Sequence, residues 1–353
     1  MAKTDIRQLS KNELIEVLKK YNEKPFRSKQ IYEWLWKKSA STFDEMSNLS
    51  QDLRNKLNCD FEINPVAIKD YQKSSDRTIK NEFILHDNKI VEGVLIPSTD
   101  RVTACISSQV GCSLSCAFCA TGKLERLRNL NADEIYDQVV LLKRQAEEQY
   151  SQALTNIVYM GMGEPLLNYN NVLTSIEKIT SPEGLNISPQ RITLSTAGIA
   201  KMIKKLGDDK VKFNLALSLH AANDELRNKI MPINEQNSLS SLADALNYFY
   251  DKTGTRCTLE FIVFKDFNDS IQDAADLVSF CKKITCKVNI IEYNPIEGGE
   301  FQQTTPQRLE AFKNYLESHN VIVNIRRSRG KDIDAACGQL ANKNNVLKKS
   351  NIN

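Results

Sequence analysis

Residues 105–122 read CISSQVGCSLSCAFCATG and carry three cysteines, Cys112, Cys116 and Cys119, at the spacing C-x3-C-x2-C. Three thiolates this close suit an iron–sulfur cluster, and because a 4Fe–4S cubane has four irons, three protein ligands leave one iron open to a substrate. An open iron belongs to chemistry rather than to storage. Zinc, the main competing metal, usually takes paired ligands with a second Cys/His pair further along, and none follows here. Gly111, Ser113 and Ser115 make the stretch a loop rather than a packed core face.

Downstream of this loop, short apolar runs alternate with helix-length amphipathic segments. Strands are expected at 102–107, 154–160, 190–195, 212–219, 257–264, 286–292 and 321–325. Helices are expected near 132–149, 170–179, 198–206, 238–251, 270–283 and 306–318, several opened by capping residues such as Asn131 and Asp269. Such alternation builds right-handed parallel βα units, and about six of them make a partial barrel short of the closed eightfold form. Upstream, strand-like runs within 62–100 are broken by Pro65, Ser74-Ser75 and Asp87-Asn88, which predicts a small antiparallel sheet joining two parts. Residues 4–60 read as a helical unit, with Leu14, Ile15, Val17 and Leu18 at helical spacing, a second segment QIYEWLWKK and a third over Asp44 to Leu57. Tyr32, Trp34 and Trp36 are expected to pack its core. The organisation expected is α/β: a helical accessory domain at 1–60, a β linker at 61–100, a partial (β/α)6 barrel at 101–340 and a polar tail at 341–353.

In βα barrels the reactive groups sit at the C-terminal ends of strands. The cysteine loop follows the first barrel strand, Gly161-Met162-Gly163-Glu164-Pro165 the second, Ser195-Thr196 ends the third, Ser218-Leu219-His220 the fourth and Tyr293-Asn294-Pro295 the sixth. In GMGEP, Gly163 lets backbone approach a ligand and Glu164 offers a carboxylate, which together with bare carbonyls suits an α-amino group. Behind a C-x3-C-x2-C loop this points to S-adenosylmethionine, whose amino and carboxylate groups chelate the open iron, with Ser195, Ser218, His220 and Asn294 placed for its carboxylate, ribose and adenine. Each of these four, taken alone, reads equally well as a helix cap, and His220 as a satisfied structural histidine. Cys105 lies seven residues before the first cluster cysteine, and Cys337 sits among small residues in RGKDIDAACGQL, a charged setting that suits a working thiol. Cys59, Cys257, Cys281 and Cys286 read as inert.

The chain has 353 residues and a net charge of only +3, from 47 basic and 44 acidic residues, so bulk charge does not announce a nucleic-acid partner. Basic residues do gather at Lys19, Lys20, Lys24, Arg27, Lys29, Lys37 and Lys38 and again at Arg326, Arg327, Arg329 and Lys331. Only a surface joining the two groups favours RNA. The N-terminus lacks the apolar core of a signal peptide and no run approaches about 18 apolar residues, so a soluble cytoplasmic protein without membrane contact is expected. Nine cysteines in such a chain fit metal or thiol chemistry better than disulfides.

The motifs as a set resemble a known family. ISSQVGC before C-x3-C-x2-C, GMGEPLLN at 161–168, LSTAG at 194–198, LALSLHA at 215–221, YNP at 293–295 and RGKDIDAACGQL at 329–340 look like the bacterial radical-SAM RNA adenine-C2 methyltransferases of dual specificity. The match runs in order from FRSKQIYEWLW to about residue 340. One departure is KLERLRNL at 123–130, where many members carry Gly-aromatic before Arg-Asn-Leu. The resemblance implies a radical-SAM barrel, a 4Fe–4S cluster on Cys112, Cys116 and Cys119, S-adenosylmethionine held by Gly163, Glu164, Ser195, Ser218, Leu219, His220 and Asn294, and methylation at C2 of one adenosine in 23S rRNA and of the adenosine beside the anticodon of some tRNAs.

The same resemblance implies a route. Adenine C2 is an electrophilic sp² carbon that cannot take a methyl cation from a sulfonium. One S-adenosylmethionine methylates Cys337, and a second, cleaved at the cluster, yields a 5′-deoxyadenosyl radical that removes hydrogen from the S-methyl group. The resulting radical adds to C2, and Cys105 resolves the protein–RNA link by forming a disulfide with Cys337. Glu92, in KIVEGVLIP, matches the family's general base. A monomer served by a reductant such as flavodoxin or ferredoxin is expected. Two alternatives remain: methylation at C8 of the same rRNA adenosine, and a non-catalytic iron–sulfur RNA-binding protein.

Overall fold

A computed structural model describes residues 3–342; the polar tail expected at 341–353 lies outside the described residues from 343 on. Helices α1 (Lys11–Lys20), α2 (Arg27–Trp36) and α3 (Gln51–Asp60) form the N-terminal unit. Ser10 and Glu13 close a reciprocal capping box that satisfies two free amides of α1. The third helix starts later than expected. Phe43–Glu45 makes only a 3-10 turn, and the helix begins where Ser50 accepts from the Leu53 amide, because serine and asparagine at 47, 48 and 50 favour caps over helix interiors.

Strands β1 (Ala67–Lys73), β2 (Ile79–Ile84) and β3 (Ile90–Pro97) form an antiparallel meander. The barrel strands follow as β4 (Val102–Cys105), β5 (Asn156–Tyr159), β6 (Ile192–Thr196), β7 (Asn214–Ser218), β8 (Cys257–Val263), β9 (Cys286–Glu292) and β10 (Val323–Arg326). Between them run α4 (Ala132–Tyr150), α5 (Tyr169–Thr180), α6 (Ala200–Asp208), α7 (Asp224–Ile230) with α8 (Leu239–Thr253), α9 (Ile271–Cys281) and α10 (Pro306–Ser318). All barrel neighbours pair in parallel. The expected partial α/β barrel is present.

The small sheet is not a separate joint. β3 pairs antiparallel with β4, so the meander and the barrel form one ten-stranded sheet in which every strand lies beside its neighbour in sequence. Four-residue β4 thus has partners on both edges, and Cys105 at its end is buried between Val94 and Val158.

The N-terminal unit docks on α4 through buried chemistry. Trp36 meets Tyr136 edge-to-face at 5.1 Å, a contact worth about 1 kcal/mol beyond area burial, and the Tyr136 hydroxyl donates to the Trp36 carbonyl. Arg7 reaches Asp5 (2.9 Å), Asp137 (2.8 Å) and Asp133 (3.3 Å) away from solvent. Trp36 therefore packs the joint as much as the unit's own core, whereas Trp34 is half-buried under Lys38, 3.7 Å from its ring.

Candidate active site

The loop after β4 is set by its own motif. Ser107 Oγ donates to the Glu92 carbonyl (2.6 Å) and accepts from the Met162 amide (2.7 Å), while the Glu164 amide donates to Gln109 Oε1 (2.8 Å). The SSQ triplet therefore holds GMGE, the turn after β5, against the cysteine loop. Gly163 has φ +96°, and a Cβ there would lie 2.5 Å from Gln109 Cβ, so the close approach requires glycine. Gly111, at φ +77°, likewise leaves room for the carbonyl of Glu125.

Cys112, Cys116 and Cys119 line one cavity with Gly163, Glu164, Ser195, Ser218, His220, Arg326 and Cys337. Its empty space, open mouth included, is about 890 Å³. Burial pushes the Cys112 thiol up to about 11 and raises Cys116 and Cys119 as well, and Cys116 is raised further by the nearness of the other two. Three half-buried thiols that disfavour one another's charge need a cationic partner, and an iron centre supplies it. No group of three such side chains among the described residues is arranged to hold a single ion. The donor set, three sulfurs along one wall facing an open cavity, fits a multi-iron cluster with a free corner.

Glu164 is buried and bridges two strand ends: its Oε2 accepts from the Ala197 amide (2.7 Å) and its Oε1 from Leu166 (3.0 Å). Burial raises its pKa, and the amide bonds oppose that. Ser195 and Ser218 Oγ lie 3.4 Å apart on adjacent strands. His220 takes the left-handed φ of +55°, and its Nδ1 accepts from the Ile262 amide at 3.1 Å. Burial, and then Arg227, lower its pKa to about 3, so the ring is neutral with its proton on Nε2. It is both a hydrogen-bonded structural residue and part of the cavity wall.

Two further expected ligands, Leu219 and Asn294, are not among the cavity-lining residues. Leu219, the first residue after β7, has a fully buried side chain, and its carbonyl accepts from Arg227 Nε (3.0 Å). Asn294 is also outside the lining, its amide turned back to the Glu292 carbonyl (3.3 Å). Glu92 is buried, not solvent-facing, and again outside the lining. Its Oε2 accepts from the Ala341 amide (2.8 Å) and its Oε1 lies 3.8 Å from Lys80 Nζ. Burial raises its pKa against the pull of Lys80.

Cys337 is exposed on a segment fastened to the cysteine loop: Ala120 N–H donates to the Gly338 carbonyl (2.7 Å) and Thr121 Oγ1 to that of Leu340 (2.6 Å). Cys105 is close enough to feel Cys337 electrostatically, and burial, then Cys337, push its thiol up to about 12. Both are free thiols in this structure.

Sequence reasoning missed Glu260, Arg227 and the inward turn of Arg326. Glu260 was visible as the lone charge in the apolar run CTLEFIVF. Arg326, grouped above with surface cations, donates to Glu260 Oε2 (3.0 Å) inside the cavity. Arg327 and Lys331 pair with Glu292, each at 2.9 Å, so this group is largely neutralised within the protein. Arg227 donates to the carbonyls of Ala197, Ser218 and Leu219, tying the ends of β6 and β7 to α7.

Residues 4–63 match the family described as the ribosomal RNA large subunit methyltransferase N-terminal domain, and residues 106–278 the Radical SAM superfamily. A probable dual-specificity RNA methyltransferase RlmN of Cytophaga hutchinsonii is 62% identical over 336 residues, covering 95% of this chain and 92% of the relative. The dual-specificity RNA methyltransferase RlmN of Nautilia profundicola is 42% identical, covering 94% and 96%. A crystal structure of a radical SAM methyltransferase from Sphaerobacter thermophilus superposes with a TM-score of 0.89 at 36% identity, covering 96% of this chain and 99% of that one. Among the described residues no helix is long and apolar enough to cross a membrane. With the barrel, the cysteine wall and the thiol segment in one cavity, the chain belongs to the dual-specificity RNA methyltransferase RlmN family and is a radical SAM RNA methyltransferase that uses a 4Fe–4S cluster and S-adenosylmethionine.

Proposed function

We propose that the protein methylates C2 of a specific adenosine in 23S rRNA and of the adenosine beside the anticodon in some tRNAs, through a methylated Cys337. The observation that supports this reading is that Cys337 lines the same cavity as Cys112, Cys116 and Cys119. Bound there, the cluster and S-adenosylmethionine supply a 5′-deoxyadenosyl radical. The chain's own residues do the rest. Gly163 and the carbonyls beside it offer a close approach to the cofactor's amino end, and Ser195, Ser218 and neutral His220 present polar groups along the same wall. The Cys337 sulfur carries the methyl group, which loses a hydrogen atom to that radical and bonds to C2; the odd electron of the adduct would pass back to the oxidised cluster as the C2 proton leaves. Glu92, with its pKa raised by burial, takes the C2 proton once the Ala341 amide has moved off its carboxylate.

Release then balances as follows. The Cys105 thiolate attacks Cys337 Sγ, an S–S bond forms, the S–CH2 electron pair passes to the adenine-linked carbon, and a proton converts it to methyl. The two sulfurs are oxidised, the carbon is reduced, and a dithiol reductant restores both cysteines. The target adenine leaves its stack to reach the cavity, with basic residues of the N-terminal unit gripping folded RNA. A cytoplasmic monomer fed electrons by a flavodoxin or ferredoxin completes the reading. Mass spectrometry of nucleosides from 23S rRNA and tRNA of producing cells is expected to show 2-methyladenosine; a product methylated only at C8 rejects the assignment.

A further inference from the structure

Arg326 ends β10, the last barrel strand, and crosses the cavity toward β5. Its Nη1 donates to Glu260 Oε2 on β8 at 3.0 Å and lies 3.7 Å from Met160 Sδ, at the end of β5. Glu260 is itself fixed, its Oε1 accepting from Asn289 Nδ2 on β9 at 2.9 Å. Met160 is shared: its backbone N–H favours charge on the Cys105 sulfur, and its thioether lies against the guanidinium. Arg326 and Cys337 line the same cavity, and the arginine charge acts on Cys337 first and on Cys105 after it. One carboxylate braces it, and two thiols lie within its field.

We propose that Arg326, braced by Glu260, is a positioning residue of the thiol pair and supplies the fixed positive charge against which Cys105 gives up its proton, so that RNA linked to Cys337 is released. The proposal rests on the reading of Cys105 and Cys337 as the working pair. A sulfur as buried as Cys105 holds its proton strongly, yet only its thiolate can attack Cys337. Arg326 and the Met160 amide are the groups acting in the opposite direction. A guanidinium suits the task because it stays charged when removed from water and is more weakly hydrated than an ammonium.

The test uses the full, cluster-loaded protein with a transcribed 23S rRNA fragment carrying the target adenosine. Denaturing gels give the fraction of reacted protein trapped as covalent protein–RNA adduct. Cys105→Ala sets the trapped limit. Arg326→Met is expected to trap at least about fivefold more adduct than the parent, a rate effect on the order of 1 kcal/mol, and Arg326→Lys to return to within about twofold of the parent. A parent-like fraction in Arg326→Met, or equal trapping by Lys and Met, overturns the proposal. If Met at 326 unfolds the barrel, Arg326→Lys and Glu260→Gln decide: Lys should release RNA and Gln, which frees the guanidinium, should trap it, and the reverse pattern overturns the proposal. If Cys105→Ala itself traps nothing, the thiol-pair reading has failed instead.

Discussion

Two arginines mark two regions built to opposite ends. Arg7, at the joint between the N-terminal unit and α4, is saturated: Asp5, Asp133 and Asp137 surround it and the Asn64 carbonyl takes a further bond. Arg326, in the cavity, has one carboxylate and faces two thiols. The joint spends its charges on fixing geometry. The cavity leaves groups short of partners, above all three mutually unfavourable thiols. Saturation gives stability, and incompleteness leaves room for a cofactor and a substrate.

Substitutions can break that contrast. Arg7→Ala strands three carboxylates at the joint and is expected to cost about 3–5 kcal/mol in denaturant unfolding, with deoxyadenosine yield per folded molecule unchanged. Burial already pushes Asp133 up to about 7 with Arg7 opposing it. In the variant the folded state therefore holds protons that the unfolded carboxyls release, and part of the lost stability returns as pH falls from about 7 toward 4. A loss under about 1 kcal/mol would contradict saturation. In the cavity the balance reverses. Gly163→Ala forces a Cβ against Gln109 at a positive φ and is expected to cost about 1–3 kcal/mol, while deoxyadenosine formation falls roughly tenfold or more, a barrier change of about 1.4 kcal/mol. Unchanged turnover would remove this backbone from the cofactor site. The smallest effect is expected at the tether: Thr121→Val deletes the bond to the Leu340 carbonyl for about 1 kcal/mol and should speed maleimide labelling of Cys337, which a structural tether elsewhere would leave unmoved.

Much of this was legible because local signals agreed with the fold. Asn131 and Ser270 cap helices within a residue or two of their expected starts, and the alternating faces of β6 and β7 put Ser195 and Ser218 inward as read. Leu219 and Asn294 lie just past the ends of β7 and β9, where strand alternation no longer fixes which way a side chain turns. Glu92 is buried by the pairing of β3 with β2 and β4, which periodicity in one strand does not reveal. Arg326 was hidden for a related reason. A run of cations reads as a surface, and only the closure of β10 onto β9 turns one of them into the barrel.

The central claim, that carbon reaches RNA through Cys337 as a methylene, is tested most directly by supplying S-adenosylmethionine with a trideuterated methyl group and weighing the methyladenosine formed. Transfer through the cysteine predicts a methyl group with two deuterons and one solvent proton, with label also found on Cys337. A product that keeps all three deuterons, formed equally well by Cys337→Ala, would contradict the account.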